Sequence, residues 1–338
     1  MKNKIGTIKI FLIASVLLML ASCEKVFLEN DPPHDPLAVF DYLWDDINSR
    51  YSFFEFKQID WEAARVKYRP QVTEGISDTR LFDLLSDMLN ELEDGHVNLT
   101  SNFNRSRNWD WYLNYPINYN HDIIERKYLG KKFRITGPFY NQTIDSILYV
   151  NYRSFGDQLT NSHLNELMEF AEGLKGVIID VRHNGGGKLD NAYRIASCFA
   201  DTTYAFATSR IKTGPGPDDF SPWKTMQVEP RSGQKFTGKV VVLINRKSYS
   251  ASTFFAQMTK SLPNAVLMGD KTGGGGGVPA YGELPNGWKY RFSATQTLDL
   301  DGKHIEPGVV EDITVALSEK DESMGFDTII EAALSYLQ

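Results

Sequence analysis

The second half of the chain carries four short apolar runs: Ile147-Leu148-Tyr149-Val150, Val177-Ile178-Ile179-Asp180-Val181, Val240-Val241-Val242-Leu243-Ile244 and Ala265-Val266-Leu267-Met268. They are too short for a helix and lack the alternation of a strand with one wet face. Continuous runs of this length, rich in Val and Ile, fit strands buried on both faces. Stretches that read as helices lie around them: His163 to Leu174, Leu189 to Phe199, and one from about Ala251. Buried strands alternating with helices predict an α/β fold, with a largely parallel sheet covered on both sides. After residue 280 shorter alternating strands lead to a last helix near 326–337.

The first third has a different period. Leu81, Leu84, Leu85, Met88, Leu89 and Leu92 recur at i, i+3, i+4, i+7, i+8 and i+11, one apolar face of a 3.6-residue repeat. Ser77 or Asp78 can cap its start. Val39, Leu43, Trp44 and Ile47 make a less regular version, so residues 36–100 are expected to form a small N-terminal helical subdomain. Residues 101–145, rich in Asn, Tyr and Trp, show weak periodicity and are expected to be a linking region of short strands and loops. The core is then expected over 146–338.

The N-terminus reads as a targeting segment. Lys2, Lys4 and Lys9 precede and flank an almost wholly apolar stretch, Ile10 to Leu20, and Leu20-Ala21-Ser22-Cys23 follows. A basic start, an apolar stretch of about 11 residues and small residues describe a secretory signal; the stretch is shorter than the roughly 20 residues that span a bilayer. Leu-Ala-Ser-Cys resembles the lipobox of bacterial lipoproteins, which implies lipidation at Cys23 and an anchor that holds the protein on a membrane without spanning it. Residues 1–23 are thus expected to be a lipoprotein signal peptide, and the Pro-containing residues 24–35 a tether. Export, with attachment to a cell-envelope membrane and the outer membrane favoured, is the expected location. The formal charge of −7 becomes −10 without the three signal lysines, and an acidic domain does not suggest a nucleic-acid partner. With Cys23 lipidated, Cys198 is left without a disulfide partner, and its apolar neighbours predict a buried small residue.

Two strand-to-helix junctions could carry chemistry. One is Asp180-Val181-Arg182-His183-Asn184-Gly185-Gly186-Gly187; the other is Asn245-Arg246-Lys247-Ser248-Tyr249-Ser250-Ala251-Ser252. A helix N-terminus offers unpaired N–H groups, and glycines let backbone approach a ligand closely. A hydroxyl at one junction facing a Gly-rich turn at the other is what acyl transfer requires. Phosphate binding fits a Gly-rich turn too, but neither G-x-G-x-x-G nor a P-loop motif is present, and no G-x-S-x-G elbow is found. A serine needs a base. The six histidines, His34, His96, His121, His163, His183 and His304, leave that choice open on sequence grounds alone. No H-E-x-x-H and no Cys cluster is present, and no metal or cofactor is expected.

Five segments occur in an order that resembles the tricorn and C-terminal-processing serine peptidases: Glu93-Asp94-Gly95-His96, the 180–187 turn, Ser248-Tyr249-Ser250-Ala251-Ser252, Gly269-Asp270-Lys271-Thr272-Gly273-Gly274, and Glu306-Pro307-Gly308-Val309-Val310-Glu311-Asp312-Ile313. The resemblance covers about residues 36–316. It implies a ClpP/crotonase-like core of ββα units. It also implies Ser250 as nucleophile, with the N–H groups of Ala251 and Gly186 as the oxyanion hole. Ser248 and Ser252 are the neighbouring alternatives.

Two departures matter. C-terminal-processing members use a Lys in Thr-x-Gly-Lys-Gly, where this chain reads Thr272-Gly273-Gly274-Gly275-Gly276; the usual Ser/Lys dyad is excluded. The tricorn branch uses a His at the place of His96, supported through a polar chain that ends in a Glu matching Glu306. The residue before that His is Ser in the tricorn protease and Gly95 here, so the relay has a gap for a water, Asp94 or another side chain. Lys271 and His304 are the reserve bases. Many relatives also carry a PDZ module of roughly 80–90 residues, for which the stretch between Leu99 and Ile147 is too short. Trp109, Trp111, Tyr112, Tyr115 and Tyr119 line a cleft or, preferably, pack a core. The expected function is peptide-bond hydrolysis acting on peptides or unfolded protein; the alternatives are an inactive ligand- or peptide-binding module and an esterase on the same machinery. Oligomeric state is not legible.

Overall fold

The computed structural model describes residues 35–108 and 114–338. The signal segment with Cys23, nearly all of the tether, and Trp109, Trp111 and Tyr112 lie outside the described residues.

Among the described residues thirteen strands form three sheets. Strand β1 (Asn98–Thr100) belongs to a small sheet described below. The main sheet comprises β2 (Arg134–Thr136), β3 (Phe139–Ile144), β4 (Ile147–Tyr152), β5 (Gly176–Asp180), β8 (Lys239–Ile244), β9 (Ala265–Gly269) and β13 (Ile313–Thr314), in the order β13-β9-β8-β5-β4-β3-β2. β4, β5, β8, β9 and β13 run parallel, and β2 and β3 are antiparallel additions at one edge. The expected mixed α/β architecture with a sheet core is what forms.

Both faces of the parallel strands are covered, which is why their sequences lack alternation. Leu148, Val150, Val177, Ile179, Val240 and Val242 face one side with helices α4 (Asn161–Ala171), α5 (Leu189–Ala196) and α6 (Ala251–Lys260). Tyr149, Ile178, Val241 and Leu243 face the other, against α7 (Thr328–Leu337) and the helical turns of 121–129. Each fully buried aliphatic side chain stabilises the fold by about 1.5–3 kcal/mol.

The N-terminal unit is built on α1 (Pro36–Arg50), α2 (Trp61–Tyr68) and α3 (Asp78–Asn90). Ser77 caps α3, its Oγ accepting from the Arg80 N–H at 3.3 Å, and the predicted apolar face of α3 is buried. The unit does not close on itself. Hairpin β10 (Pro279–Glu283) and β11 (Lys289–Ser293) returns from the far end of the chain, and β11 pairs with β1. It adds Leu284, Trp288, Tyr290 and Phe292 to the N-terminal core. A third sheet, β12 (Thr295–Asp299) with β6 (Tyr204–Ile211) and β7 (Lys224–Val228), follows directly.

Two sequence boundaries are corrected. β2 and β3, expected in the linking region, belong to the core sheet, so the core begins before residue 146. Residues 279–294, expected in the core, complete the N-terminal unit instead. In addition, 121–129 is helical, with a π-helical stretch at Ile124–Leu129, where loops and short strands were expected.

Candidate active site

β5 and β8 lie side by side, with Asp180 opposite Leu243. The Gly-rich turn and the serine junction therefore leave the carboxyl ends of neighbouring parallel strands, where open α/β sheets place ligands. Asn184 joins the two junctions. Its carbonyl accepts from the Tyr249 N–H at 3.1 Å and the Ser252 hydroxyl at 2.7 Å, and its Nδ2 donates to the Tyr152 carbonyl at 2.9 Å.

Ser250 immediately precedes α6, at φ 58° and ψ −117°, a strained setting for a residue with a Cβ. Its N–H donates to the Gly274 carbonyl at 2.9 Å. The same carbonyl accepts from the Thr253 hydroxyl at 2.7 Å, so the strained turn is bolted on both sides. Ser248 and Ser252 are fully buried and spend their hydroxyls on the carbonyls of Val181 and Asn184; neither competes with Ser250 for a substrate.

The N-terminal unit supplies the partner. The Asp94 carboxylate accepts from the His96 N–H at 2.8 Å and fixes the turn between α3 and β1. His96 is buried, and its Nε2 lies 2.9 Å from Ser250 Oγ. Of the other histidines, His34 lies outside the described residues. His121 pairs with Glu125, His163 closes the capping box of α4, and His304 packs on Phe56 with ring centroids 4.1 Å apart. His183 lines the same cleft as Ser250. His304 forms an isolated bridge with Leu298, and a turn starts after it.

Gly186 sits at φ +93°, and a methyl group there would lie 2.5 Å from the Tyr249 carbonyl oxygen and 3.0 Å from the Ala251 nitrogen. Only glycine permits that approach. Its N–H, however, donates to Asn184 Oδ1 at 3.0 Å. The Phe155 N–H bond to the Gly186 carbonyl and the Lys188 N–H bond to the Phe155 carbonyl flank Gly187, so the Gly187 N–H points away from Phe155. Ala251 stands at the first position of α6, where N–H groups have no intrahelical partner.

Residues 146–315 match the description of peptidase family S41, and residues 32–90 match the tricorn protease C1 domain. The chain belongs to peptidase family S41. A Parabacteroides merdae protein, whose crystal structure is described as that of a candidate peptidase, is 39% identical; the match covers 90% of this chain and 97% of that one, with a TM-score of 0.84. A CtpA-like serine protease of Staphylococcus aureus is 29% identical over 148 residues, 43% of this chain and 28% of that protein. This match therefore spans less than a third of the curated relative. Mature CPAF shares the fold, with a TM-score of 0.66 at 12% identity over 90% of this chain and 96% of its own.

Within this S41 chain the lysine of the Ser/Lys branch has no room. Gly275 has φ +77°, and a Cβ there would lie 2.5 Å from the Tyr249 ring. Lys271 lines a different cleft, with His304 and Asp299. Neither reserve base reaches Ser250.

Another side chain stands at the gap before His96. Ser293, at the end of β11, puts its Oγ 3.4 Å from His96 Nδ1. Behind it stand two buried carboxyls. Burial works against ionisation of Asp94, but Lys57, His96, the His96 N–H and Ser293 outweigh it and hold the group below its ordinary range. Glu306 goes the other way: burial, then the Asp94 charge, raise it far above a normal carboxyl. Glu306 accepts from the Gly277 N–H at 3.3 Å and lies 3.4 Å from Lys57 Nζ. It makes no hydrogen bond to His96. Burial also pushes the His96 imidazole down to about 4; Asp94 opposes this, while Arg291 and Lys57 add to it.

Ser250 and His96 open on a cleft of about 810 Å³ whose walls include the 185–187 turn, Phe254 and residues 277–279. Ser293 and Lys57 were missed at the level of sequence, because nothing in their local spacing ties them to His96.

Proposed function

We propose that this S41 protein is a serine endopeptidase or oligopeptidase. Ser250 Oγ attacks the scissile carbonyl while His96 Nε2 takes its proton. The C–N bond of the tetrahedral adduct then breaks as His96 returns that proton to the leaving amine. Water, deprotonated by His96, repeats the sequence on the acyl-enzyme and releases the acid. The oxyanion lies between the Ala251 N–H, at the positive end of α6, and the 186–187 turn. Gly186 can donate only once Asn184 lets go of its N–H; otherwise the Gly187 N–H takes that place. Ser293 and Asp94 orient His96, with Glu306 behind them. No step needs a cofactor.

The observation that carries this reading is the 2.9 Å approach of His96 Nε2 to Ser250 Oγ, made by residues 154 positions apart on two structural units. The test is mass-spectrometric cleavage of a mixed peptide panel, beside the Ser250→Ala and His96→Ala variants. Loss of about 10⁴-fold or more in each variant is expected. Equal cleavage by Ser250→Ala would remove the assignment. A folded protein that captures peptides without cutting them would favour a binding module.

Export and lipid attachment at Cys23 to an envelope membrane, the outer membrane by preference, complete the proposal. No described helix is long and apolar enough to cross a membrane. Metabolic labelling with a fatty acid should mark the wild-type protein and leave Cys23→Ala unlabelled; equal labelling of the two would refute the anchor.

A further inference from the structure

We infer that the cleft beside Ser250 selects substrates bearing a carboxylate close to the scissile bond, and that Arg291 receives it. This rests on the peptidase reading above.

The chain as a whole is acidic, with 43 Asp and Glu against 36 Lys and Arg, yet its reaction cleft is not. Arg291, Lys247 and His183 line it together with His96, and among the described residues no Asp or Glu lines it. A cleft lined by one sign of charge between low-dielectric walls concentrates ligands of the opposite sign.

Arg291 is the better-defined of the two cations. It lies in the middle of β11, opposite Asn98 on β1 and Tyr281 on β10. Its Nε donates to Asn98 Oδ1 at 2.8 Å, and that oxygen also accepts from Arg105 Nη2 at 3.3 Å. A neutral amide thus holds the guanidinium in place, without a carboxylate partner among the described residues. Several other arginines are paired with carboxylates: Arg50 with Asp46, Arg69 with Asp41, Arg182 with Asp180 and Asp327, and Arg246 with Asp270. Among the described residues Arg291 has no such ion pair, and neither has Lys247. A guanidinium held in a fixed position with open N–H groups is suited to bidentate capture of a planar carboxylate.

The position also couples binding to the reaction. The Arg291 charge is one of the influences that hold the His96 imidazole low. A substrate carboxylate docked on Arg291 screens that charge and makes His96 a stronger base in the complex than in the free protein. The carboxylate can come from an Asp or Glu side chain or from the end of a short peptide chain.

The experiment compares three sets of peptides: amidated peptides with Asp or Glu flanking the cut, the same peptides with Asn or Gln, and neutral peptides with a free C-terminal carboxylate. Wild type should show kcat/KM about 10- to 100-fold higher for one of the two carboxylate sets than for the amide set, the range of a hydrogen bond to a charged group. Arg291→Gln should abolish the difference, and Arg291→Glu should transfer the preference to peptides with Lys at that place. The set that responds identifies the source of the carboxylate. Cleavage that depends on Ser250 but ignores charge, or a preference unchanged in Arg291→Gln, overturns the inference and leaves the peptidase reading standing. If no peptide is cut, affinities of the three sets for the Ser250→Ala protein decide it: binding that favours carboxylates and needs Arg291 supports the anion site without the peptidase, and indifferent binding overturns it.

Discussion

At the scale of single residues, His96 depends on a side chain 197 positions away. Ser293 Oγ stands at His96 Nδ1; under the proposed mechanism it does there what the residue before the histidine does in the tricorn branch. At 3.4 Å the contact is long for a hydrogen bond, as such contacts often are before substrate binds. With its proton donated to the Asp94 carboxylate, the Ser293 hydroxyl oxygen accepts from Nδ1–H, which orients the ring and leaves the lone pair on Nε2. Ser293→Ala should lower kcat about 10- to 100-fold with KM nearly unchanged, because orientation counts most in the transition state. Ser293→Thr should recover much of the loss, which a merely structural defect would not. The ionisation of His96 is equally testable. Asp94 faces it from its own turn, Lys57 from the N-terminal unit, Arg291 and Ser293 from β11, and Tyr249 from the serine junction. Only the neutral imidazole can take the serine proton. Since burial holds it down to about 4, kcat/KM should stay high well below pH 6.5 and fall only as the solution approaches pH 4. An acid limb at the ordinary imidazole value would show that water reaches the ring.

At the scale of elements, the glycines of 273–277 are shaped for a site without lysine. Gly275→Lys would restore the motif of the Ser/Lys branch in sequence, but not in space. It would force a bulky residue to φ +77° with its Cβ against the Tyr249 ring. The double variant Gly275→Lys, His96→Ala should therefore remain inactive in the peptide assay, and Gly275→Lys alone should lose about 1–3 kcal/mol in urea unfolding. Recovery of activity in the double variant would mean that the loop repacks. The same glycines show what could be read in advance. The missing lysine was legible because it is a local absence. The buried strands and α3 were legible because their periods are set by which faces are covered. The helical turns of 121–129 were not: only Ile124, Tyr128 and Leu129 are buried there, and a π-helical repeat does not match a 3.6-residue template. Nor was the return of β10 and β11 to the N-terminal unit, since an alternating strand does not say which sheet it joins. Ser293 and Arg291 share that blind spot, because both reach the cleft on β11.

At the scale of the whole molecule, the candidate nucleophile and base sit on separate structural units, so the rigidity of each half decides whether they meet. The core half is locked by a buried ion network. Arg182, fully buried between Asp180 and Asp327, also donates to the Asn118 carbonyl at 3.2 Å. Asp327 in turn caps α7, accepting from the N–H groups of Ile329 and Ile330 at 3.0 Å. Arg182 begins the turn that carries Gly186, so one guanidinium ties the Gly-rich side of the cleft to the last helix of the chain. Breaking a buried pair from one side leaves an uncompensated charge and costs about 3–5 kcal/mol, a large share of a typical domain's stability. Asp327→Asn keeps an acceptor for the α7 cap and loses the charge; Asp327→Ala loses both, a further ~1 kcal/mol. Urea unfolding should therefore rank wild type above Asp327→Asn and Asp327→Ala last. In variants that remain folded kcat should fall more than KM rises, because the loosened turn is the one proposed to hold the oxyanion, not the ground-state substrate. If Asp327→Asn unfolded at the wild-type urea concentration, Arg182 would be held by Asp180 and Asn118 alone, and α7 would have no part in keeping the cleft in shape.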